Sequence, residues 1–513
     1  MPNMRQIRGR KPSFFLSRAL FFGLETGRRT AMGGLAEGFI LSLRGKEAVA
    51  MASTWLWRGD DSALAGVQPA GQQDGEAAAI VAASEIALQA GDAVIASSPR
   101  KAISPDAYDG IWVVNAGAAH AAVMSPSERS RIWRRAGLSP KEEGEADTRV
   151  YRVTVVNLEP FAIHRLAGGR SQSIAAEGWP DAPPLSRVAR AAVRALYALG
   201  LEIGEAEVSL SDTGRASIVA AWPLAADTLQ GAELARRFAA KYAAETAGMA
   251  ERRILIGADP EFALLTPAGK LAPASRFFGE GARGAAGADA MYIGRRLLYP
   301  VAELRPEPAE TPAALAANVR RLLARAAAKI GDPELRWAAG AMPLRGLALG
   351  GHIHISGAPL TGRLLRLLDS CAAYPLALVE DPAGRGRRPR YGALGDFRPQ
   401  PHGGFEYRTL PSWLVSPAAA KAAFALALLC AREALRIPRL PAQEERYEEA
   451  YYAGDRTELA GCLDAVAAAV SATESYEPLA RYIEPLFESA RQGKTWDEGK
   501  DIRAKWRIPV PVQ

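Results

Sequence analysis

The chain has few of the residues that disulfide frameworks and thiolate metal sites require. Its 513 residues include three cysteines, Cys371, Cys430 and Cys462, and no two of them are closely spaced. This usage implies neither a disulfide framework nor a structural zinc site. A reducing cytoplasm is the environment that it fits best.

Long apolar runs are missing as well. No uninterrupted apolar segment approaches the roughly 20 residues that span a bilayer, so we expect no membrane partner. The hydrophobic content of 49% and charged content of 23% are ordinary for a soluble globular protein. The net charge of +7, from 63 basic and 56 acidic residues, is spread along the chain. It argues against a nucleic-acid partner and favours anionic small ligands such as nucleotides.

At this length we expect two or three domains. Arg18 interrupts the apolar stretch near the start, which favours a flexible or misassigned start over a signal peptide. An Ala-rich run without proline predicts a connecting helix in the middle of the chain. The predicted organisation is a basic tail over 1–30, an α/β domain over 31–230, a connecting helix over 231–253, and a second domain over 254–513 that includes the C-terminal helices.

Periodicity in the first half predicts alternating helices and strands. We predict helices over 77–88 and 186–199, and strands over 110–115, 150–156, 205–210 and 216–221.

The order helix, strand, turn, strand at the end of this half resembles the end of an ATP-grasp domain. In that family the last strand carries a Glu and an Asn that hold magnesium. The corresponding places here are Ala220 and Trp222, and neither side chain can ligate the ion. The half is therefore either a degenerate, non-catalytic relative of ATP-grasp domains or an unassigned α/β domain.

Histidine is scarce, yet three of the five histidines lie close together in the second half. His352 and His354 follow two glycines in Gly350-Gly351-His352-Ile353-His354-Ile355, and His402 lies about fifty residues further on. Alternation of polar and apolar residues predicts a strand with both histidines on one face. The alternative for any one histidine is a hydrogen-bonded core residue.

Four segments of the second half carry polar pairs at positions i and i+2. The pairs are Asp259 and Glu261, Glu303 and Arg305, His352 and His354, and Glu406 and Arg408. In a strand each pair shares one face, while a neighbouring apolar residue takes the other. Those apolar residues are Phe262, Leu304, Ile353 and Tyr407. Each pair alone could be a surface salt bridge, but four in one domain favour a shared site.

Proline between the first pair limits that prediction. Pro260 confines its strand to a sheet edge or to the strand's first residues, and Asp259 could then be a cap or turn residue. His354 could also hydrogen-bond within the core while His352 alone reaches the site.

Glutamates gathered with histidines suit Mg²⁺ or Mn²⁺ better than zinc, since hard divalent ions prefer carboxylate oxygens. Arginines on the same strands would face those metals, which requires an anion between them, and a nucleotide phosphate chain fits. The loop over 381–392 adds four arginines that could close over phosphates or could be a solvated basic loop.

Taken in order, the motifs resemble the phage-type carboxylate-amine ligases of the amidoligase group, which share the fold of glutamine synthetase and glutamate-cysteine ligase. The motifs are Ile256-Gly257-Ala258-Asp259-Pro260-Glu261-Phe262, Glu303-Leu304-Arg305-Pro306, Gly350-Gly351-His352-Ile353-His354, Arg388 to Gly392, and Gly404-Phe405-Glu406-Tyr407-Arg408-Thr409-Leu410-Pro411-Ser412-Trp413. The resemblance covers roughly residues 254–417. It implies an α+β domain with an antiparallel sheet funnel and flanking helices, which binds ATP and two or more magnesium ions.

The resemblance also implies roles for single residues. The implied metal ligands are Glu261, Glu303, His352 and Glu406. The arginines implied to contact the transferred phosphoryl group or acyl phosphate are Arg305, Arg388 and Arg408. The nucleotide contacts that we predict are Arg385, Arg388, Arg398 and Tyr391.

We therefore predict an ATP-dependent ligase that joins a small-molecule or peptide carboxylate to an amine through an acyl phosphate. Two alternatives use the same cluster: a metal-dependent hydrolase or nuclease, and a non-catalytic nucleotide-binding protein. Arginines beside the glutamates favour the ligase, because a hydrolase that activates water does not need them.

The places of Ala220 and Trp222 predict that the first half does not hydrolyse ATP. Residues 31–230, expressed alone, should show no magnesium-dependent ADP release, because the metal would have no ligands there. Magnesium-dependent turnover by this fragment would contradict the prediction.

Overall fold

The structure is a computed structural model, and it describes most of the chain from residue 112 onward. The described residues are 41–43, 52–57, 65–66, 112–115, 118–142, 144, 149–175, 179, 182–224, 252–280, 284–293, 296–401, 403–434, 436–437 and 441–509, together with scattered positions between 230 and 245. His402, the basic tail over 1–30 and the helix predicted over 77–88 lie outside them.

The first part of the chain is built from short strands and two substantial helices. Its elements are β1 (Leu41–Leu43), β2 (Ala52–Trp57), β3 (Ala65–Gly66), β4 (Trp112–Val114), α1 (Ala118–Val123), α2 (Pro126–Arg135), β5 (Arg149–Val156), β6 (Glu159–Ala167), β7 (Arg170–Ile174), α3 (Pro183–Ala198), β8 (Ile203–Leu210) and β9 (Ala216–Pro223).

A five-stranded sheet is the main feature of this part, with the strand order β7-β6-β5-β8-β9 and antiparallel pairing throughout. Helix α3 packs on one face of the sheet through apolar residues such as Val188, Ala192 and Leu196. The predictions for α3, β5, β8 and β9 are confirmed to within a few residues. The described positions between 230 and 245 are helical.

The second part begins with the central strand of a larger sheet and ends in helices. Its elements are β10 (Leu255–Leu265), β11 (Leu271–Ala272), β12 (Ala286–Ile293), β13 (Arg296–Leu304), α4 (Pro312–Ile330), β14 (Arg336–Ala338), β15 (Gly351–Ser356), α5 (Gly362–Leu368), a π-helix (Asp369–Ala373), α6 (Tyr374–Val379), β16 (Phe397–Pro399), β17 (Phe405–Tyr407), α7 (Pro417–Arg432), α8 (Glu445–Ala453), α9 (Arg456–Ala460), α10 (Leu463–Ser471), α11 (Glu477–Arg491) and α12 (Ile502–Trp506).

The larger sheet curls around β10, and its described strands are all antiparallel to their neighbours. The strand order is β12-β13-β10-β15-β17-β16, and the short strands β11 and β14 also pair with β10. Helices α4 and α7 cover one face, where Phe262, Leu304 and Ile353 are fully buried. The α+β class and the antiparallel sheet with flanking helices are thus confirmed, and the other face remains for polar side chains.

Pro260 lies in the middle of β10, not at an edge or in the first residues, so that expectation was wrong. The N–H of Glu261 donates to the Gly350 carbonyl at 3.0 Å, so residue 261 faces β15. Because successive N–H groups alternate, position 260 faces β13. The β10–β13 ladder holds only residues 261 and 262 of β10, and so the sheet loses no hydrogen bond at the proline.

A proline commonly ends a helix, yet the chain stays helical past Pro375 to Val379. A π-helix precedes it, in which the N–H of Tyr374 bonds to the Asp369 carbonyl five residues back. The wider turn gives room for a proline ring that would clash in a regular α-helix. Asp369 is fully buried at the start of this turn.

Helices of the two parts contact each other through charged side chains. Arg131 and Arg135 on α2 form ion pairs with Glu445 and Glu449 on α8, with N–O distances of 2.6 to 3.4 Å. Of the helices that the structure describes, none is long and apolar enough to cross a bilayer.

Candidate active site

Strand pairing brings the predicted polar residues together on the open face of the larger sheet. The register places Glu261 opposite Glu303, Asp259 opposite His352, and His354 opposite Glu406. Side chains on directly opposed residues of antiparallel strands share a face. All six belong to the predicted i, i+2 pairs, and His354 lies on this face with the others rather than in the core.

The two glycines before His352 serve packing. A Cβ on Gly351 would lie 2.4 Å from the Pro411 carbonyl oxygen and 2.7 Å from the Trp413 ring. The Trp413 indole N–H donates to the Gly351 carbonyl at 2.9 Å. Gly351 therefore allows a close approach of the Pro411 backbone and the Trp413 ring, which support β15 at its end.

The first candidate metal group consists of Asp259, His354 and Glu406, whose ligand atoms all lie within 4.8 Å of one another. Asp259 Oδ2 lies 3.2 Å from His354 Nε2. His352 stands beside the group, with its Nδ1 3.2 Å from Asp259 Oδ1 and 3.2 Å from Glu406 Oε1. We call Asp259, His354 and Glu406 the histidine cluster.

The second candidate group consists of Glu261, Asp289 and Glu303, which we call the carboxylate cluster. Its ligand atoms also lie within 4.8 Å of one another. Glu261 is further held by the Gly350 N–H, which donates to its Oε2 at 2.7 Å. Three carboxylates at one point, two of them buried, form an oxygen donor set of the kind that magnesium or manganese prefers.

Burial and charge crowding shift the pKa values of these groups. Burial raises the pKa of Glu261 to about 7. Burial and then repulsion by Asp259 raise the pKa of Glu303 to about 8. Burial lowers the pKa of His352, but the Asp259 carboxylate outweighs it and brings that pKa well above its usual value. The carboxylates therefore compete for protons and cations, and a divalent ion would relieve the repulsion.

Three arginines lie beside these carboxylates. Arg398 Nε donates to Glu406 Oε2 at 2.6 Å, and Arg408 Nε lies 3.2 Å from Glu406 Oε1. Arg305 forms an ion pair with Glu303. The Glu406 side chain is 0% exposed, whereas the side chains of Arg398 and Arg408 are 44% and 36% exposed. Solvent therefore reaches the arginines before it reaches the carboxylate.

The remaining predicted residues lie elsewhere. Arg388 forms a buried ion pair with Glu380 and stacks on Tyr451 at 4.3 Å. With Arg385 it lines a separate cavity of about 140 Å³ next to α8 and α9. Tyr391 is an exposed side chain on the loop that follows. None of these contacts involves a residue of the two clusters, and the predicted nucleotide contacts of Arg385, Arg388 and Tyr391 stay predictions.

A second, independent observation supports a cation site at the histidine cluster. Among the described residues, four buried polar atoms of this cluster and the adjacent His352 lack a hydrogen bond of acceptable geometry: Asp259 Oδ1, His354 Nε2, Glu406 Oε1 and His352 Nδ1. Unsatisfied buried polar atoms cost free energy, roughly 1–3 kcal/mol each. Oxygen and nitrogen atoms left this way around one point are the donor set that a divalent ion would use.

The ligands predicted from the sequence do not include Asp289, which the structure places in the carboxylate cluster. Asp289 reaches this cluster only because β12 folds back on β13, and that pairing is not visible in local periodicity. Asp259 and His354 were named in the polar pairs but were not assigned as ligands. The signal for Asp289 is an acidic residue within the otherwise apolar Ala286–Ile293.

In the first part, Ala220 and Trp222 lie on β9 as expected. The Arg152 guanidinium lies 5.6 Å from the Trp222 ring centroid and 2.8 Å from Glu207 on β8. The nearby Glu205 accepts a hydrogen bond from Thr154 at 2.9 Å. Glu205 and Glu207 of β8 therefore both have protein partners.

Comparison with known proteins gives one family. Residues 256–508 match the family described as Phage phiEco32-like COOH.NH2 ligase-type 2. This part of the chain therefore belongs to the carboxylate-amine ligases. Within that class, its family is the phage phiEco32-like ligases of type 2. A comparison with curated proteins finds no match.

Two solved structures are among those similar to the chain. One is a bifunctional glutathione synthetase from Pasteurella multocida, with 10% identity and a TM-score of 0.34, covering 50% of this chain and 49% of that chain. The other is described as a novel glutamine synthase homolog, with 15% identity and a TM-score of 0.28, covering 52% of this chain and 74% of that chain. The chain thus spans about half the length of the first of these proteins.

The two clusters share no residue, so we predict two metal sites whose affinities can be changed independently. Asp289→Asn should weaken Mn²⁺ binding at the carboxylate cluster at least about tenfold and leave the other site intact, because one charged ligand is lost. Calorimetric titration of the full-length chain with Mn²⁺ measures the affinities of both sites. Asp212→Asn, on an exposed side chain of the β8–β9 turn, is the matched control and should titrate like the wild type. Equal isotherms for the wild type and Asp289→Asn would contradict the assignment.

Proposed function

We propose that the protein is an ATP- and magnesium-dependent ligase that joins a carboxylate to an amine through an acyl phosphate. The observation that carries this proposal is the arrangement on the open sheet face, where half-exposed arginines stand over buried carboxylates. Membership of residues 256–508 in the carboxylate-amine ligases supports it. Mn²⁺ could take the place of Mg²⁺, since both prefer oxygen ligands.

The reaction brings together groups of like charge. A carboxylate oxygen attacks the γ-phosphorus of ATP, the bond to the bridging oxygen breaks, and ADP leaves. The amine then attacks the carbonyl carbon, inorganic phosphate leaves, and the nitrogen loses a proton. Both attacks need negative charge to be neutralised and the reacting atoms to be held in line.

The buried carboxylates and histidines would hold the metal ions, and the more exposed arginines would contact the substrates. Glu261, Asp289 and Glu303 would hold one divalent ion, and Asp259, His354 and Glu406 would hold another. Bound there, the ions would polarise phosphate oxygens and neutralise their charge. His352, between Asp259 and Glu406, orients both carboxylates and is itself available as the ligand that the sequence predicts.

Arg305, Arg398 and Arg408 would meet the substrates from the solvent side. The planar guanidinium fork matches phosphate and carboxylate oxygens, so Arg408 and Arg398 would orient the γ-phosphate or the acyl phosphate. Arg305 would do the same next to the carboxylate cluster. Positive charge fixed at this position also stabilises the oxyanion that forms when the amine attacks.

The arginines also separate this proposal from its rivals. A hydrolase or nuclease activates water with its metals and does not require three arginines on the acidic face. A non-catalytic nucleotide-binding protein would not need two separate metal groups. The substrates we propose are therefore small-molecule or peptide carboxylates and amines, with no nucleic acid or membrane.

The proposed organisation of the chain follows the predicted boundaries. Residues 254–513 would form the ligase domain including the C-terminal helices, and residues 31–230 a separate domain that does not hydrolyse ATP. The connecting helix would span 231–253.

The test is the release of ADP by the purified full-length protein. Release should rise when amines and carboxylates are supplied together with Mg²⁺, above the rate with either alone. ADP release that is the same with and without the two substrates would indicate a hydrolase, and the proposal would fail.

Glu406→Gln should abolish turnover while the fold persists. Glutamine keeps the shape of the side chain but removes the charge that faces Arg398, Arg408 and a divalent ion, and we expect a loss on the order of a thousandfold in rate. The measurement is ADP release at saturating Mg²⁺ beside circular dichroism. Glu433→Gln changes an equally buried glutamate on the α7 side and should leave turnover unchanged. Near-normal activity of Glu406→Gln would remove it from the essential ligands.

Arg408→Lys should lower the catalytic rate far more than it weakens ATP binding. Lysine keeps the charge but loses the planar fork, so bidentate contact with a phosphoryl group is lost. ADP release beside ATP affinity by calorimetry separates the two effects. Arg131→Lys, an arginine in the surface ion pairs of α2, is the control. If Arg408 only pairs with Glu406, lysine serves nearly as well, and unchanged turnover would place Arg408 outside the chemistry.

A further inference from the structure

A buried aspartate connects the first part of the chain to the strand that carries Glu406 and Arg408. Asp369, 1% exposed, begins the π-helix. Its carboxylate accepts three hydrogen bonds, from the Tyr407 hydroxyl at 2.6 Å, the Tyr197 hydroxyl at 2.7 Å and the Gly395 N–H at 3.0 Å. The donors come from three separate segments.

Two of these donors belong to the strands of the site. Tyr407 lies between Glu406 and Arg408 on β17 and points to the opposite face of the sheet. Gly395 comes shortly before β16, which carries Arg398, and the next residue, Asp396, accepts a hydrogen bond from the Arg408 N–H at 2.9 Å. One carboxylate thus holds both strands of the β16–β17 pair from behind the site.

The third donor comes from the other part of the chain. Tyr197 is at the end of α3, and the guanidinium of Arg366 lies 4.1 Å from its ring centroid and donates to its carbonyl at 2.6 Å. Arg366 Nε also lies 3.6 Å from Glu202, which accepts a hydrogen bond from the Asn115 N–H at 2.5 Å. These buried contacts therefore fix the position of the Tyr197 hydroxyl.

We infer that Tyr197 and Asp369 are positioning residues, through which the first part of the chain holds β16 and β17 so that Arg398, Glu406 and Arg408 face one site. The reaction that this arrangement serves is the one given under the proposed function. It gives the first part of the chain a role in the ligase site that needs no ATP chemistry of its own.

The loss of a hydrogen bond to the buried Asp369 carboxylate should have a large effect on the site. Burial raises the pKa of Asp369 to about 6, and the Tyr407, Gly395 and Tyr197 donors oppose that shift. A hydrogen bond to a charged buried group is stronger than one between neutral groups, and its loss leaves the carboxylate undersatisfied. A small displacement of catalytic groups can cost a large factor in rate. A π-turn at this position is consistent with such a role, since π-bulges are frequent at functional sites.

The experiment compares Tyr197→Phe with Tyr374→Phe in the full-length protein. Both rings are buried, but the Tyr374 hydroxyl has no hydrogen-bond partner among the described residues, so its removal controls for the substitution itself. Three quantities are measured: amide hydrogen exchange over 395–408, Mn²⁺ affinity, and kcat beside the KM for ATP.

Tyr197→Phe should speed amide exchange over 395–408 at least about tenfold, the effect of losing one hydrogen bond to a charged group. It should weaken Mn²⁺ binding at the histidine cluster and lower kcat about tenfold, with the KM for ATP changed less than about twofold, because positioning rather than nucleotide binding is lost. Tyr407→Phe should reproduce these effects, and Tyr374→Phe should show none.

If Tyr197→Phe only lowers the melting temperature, with exchange over 395–408, Mn²⁺ affinity and kcat like those of Tyr374→Phe, the positioning role is overturned. If the wild type shows no ligase activity, the proposed function fails, and local exchange still decides the positioning role in either direction.

Discussion

Crowding of buried negative charge on one face of the larger sheet is the constraint on which the rest of the site depends. Strand register alone brings Glu261 against Glu303 and places Asp259 and Glu406 on either side of His352. Such an arrangement is costly without cations, because neighbouring carboxylates in a low dielectric repel one another and hold protons. Arginines at the rim offset part of that cost, and metal ions bound in the clusters would offset more of it. The proposed reaction between a carboxylate and a triphosphate would use both.

The fold leaves this face of the larger sheet open because helices cover the opposite, apolar face. Helices α4 and α7 cover the back of the sheet, and Gly351 lets Trp413 and the Pro411 backbone support the end of β15. Asp369 then fixes β17 from behind the sheet. The site is thus preorganised by contacts that never touch a substrate, which is how fixed charges can stabilise a transition state without reorganising.

Local patterns in the sequence predicted the parts of this site that depend on one strand at a time. Alternation at i and i+2 correctly placed Glu261, Glu303, His352 and Glu406 on one face, because that periodicity is a property of any strand. Asp289 could not be found this way, since its position depends on the pairing of β12 with β13. The mid-strand Pro260 also needed the register, which shows that its missing N–H faces a gap in the ladder. Arg388 was assigned to the site by its motif, and only the tertiary structure reveals its buried partner Glu380.

If ATP activates a carboxylate for attack by an amine, hydroxylamine can take the place of the natural amine, whose identity then need not be known. The purified full-length protein is incubated with ATP, Mg²⁺, hydroxylamine and a panel of amino-acid and dicarboxylic acids, and hydroxamate and ADP are both measured. We predict that at least one carboxylate yields hydroxamate and ADP in equal amounts, and that both products disappear without Mg²⁺. ADP formed without any hydroxamate across the panel would contradict it.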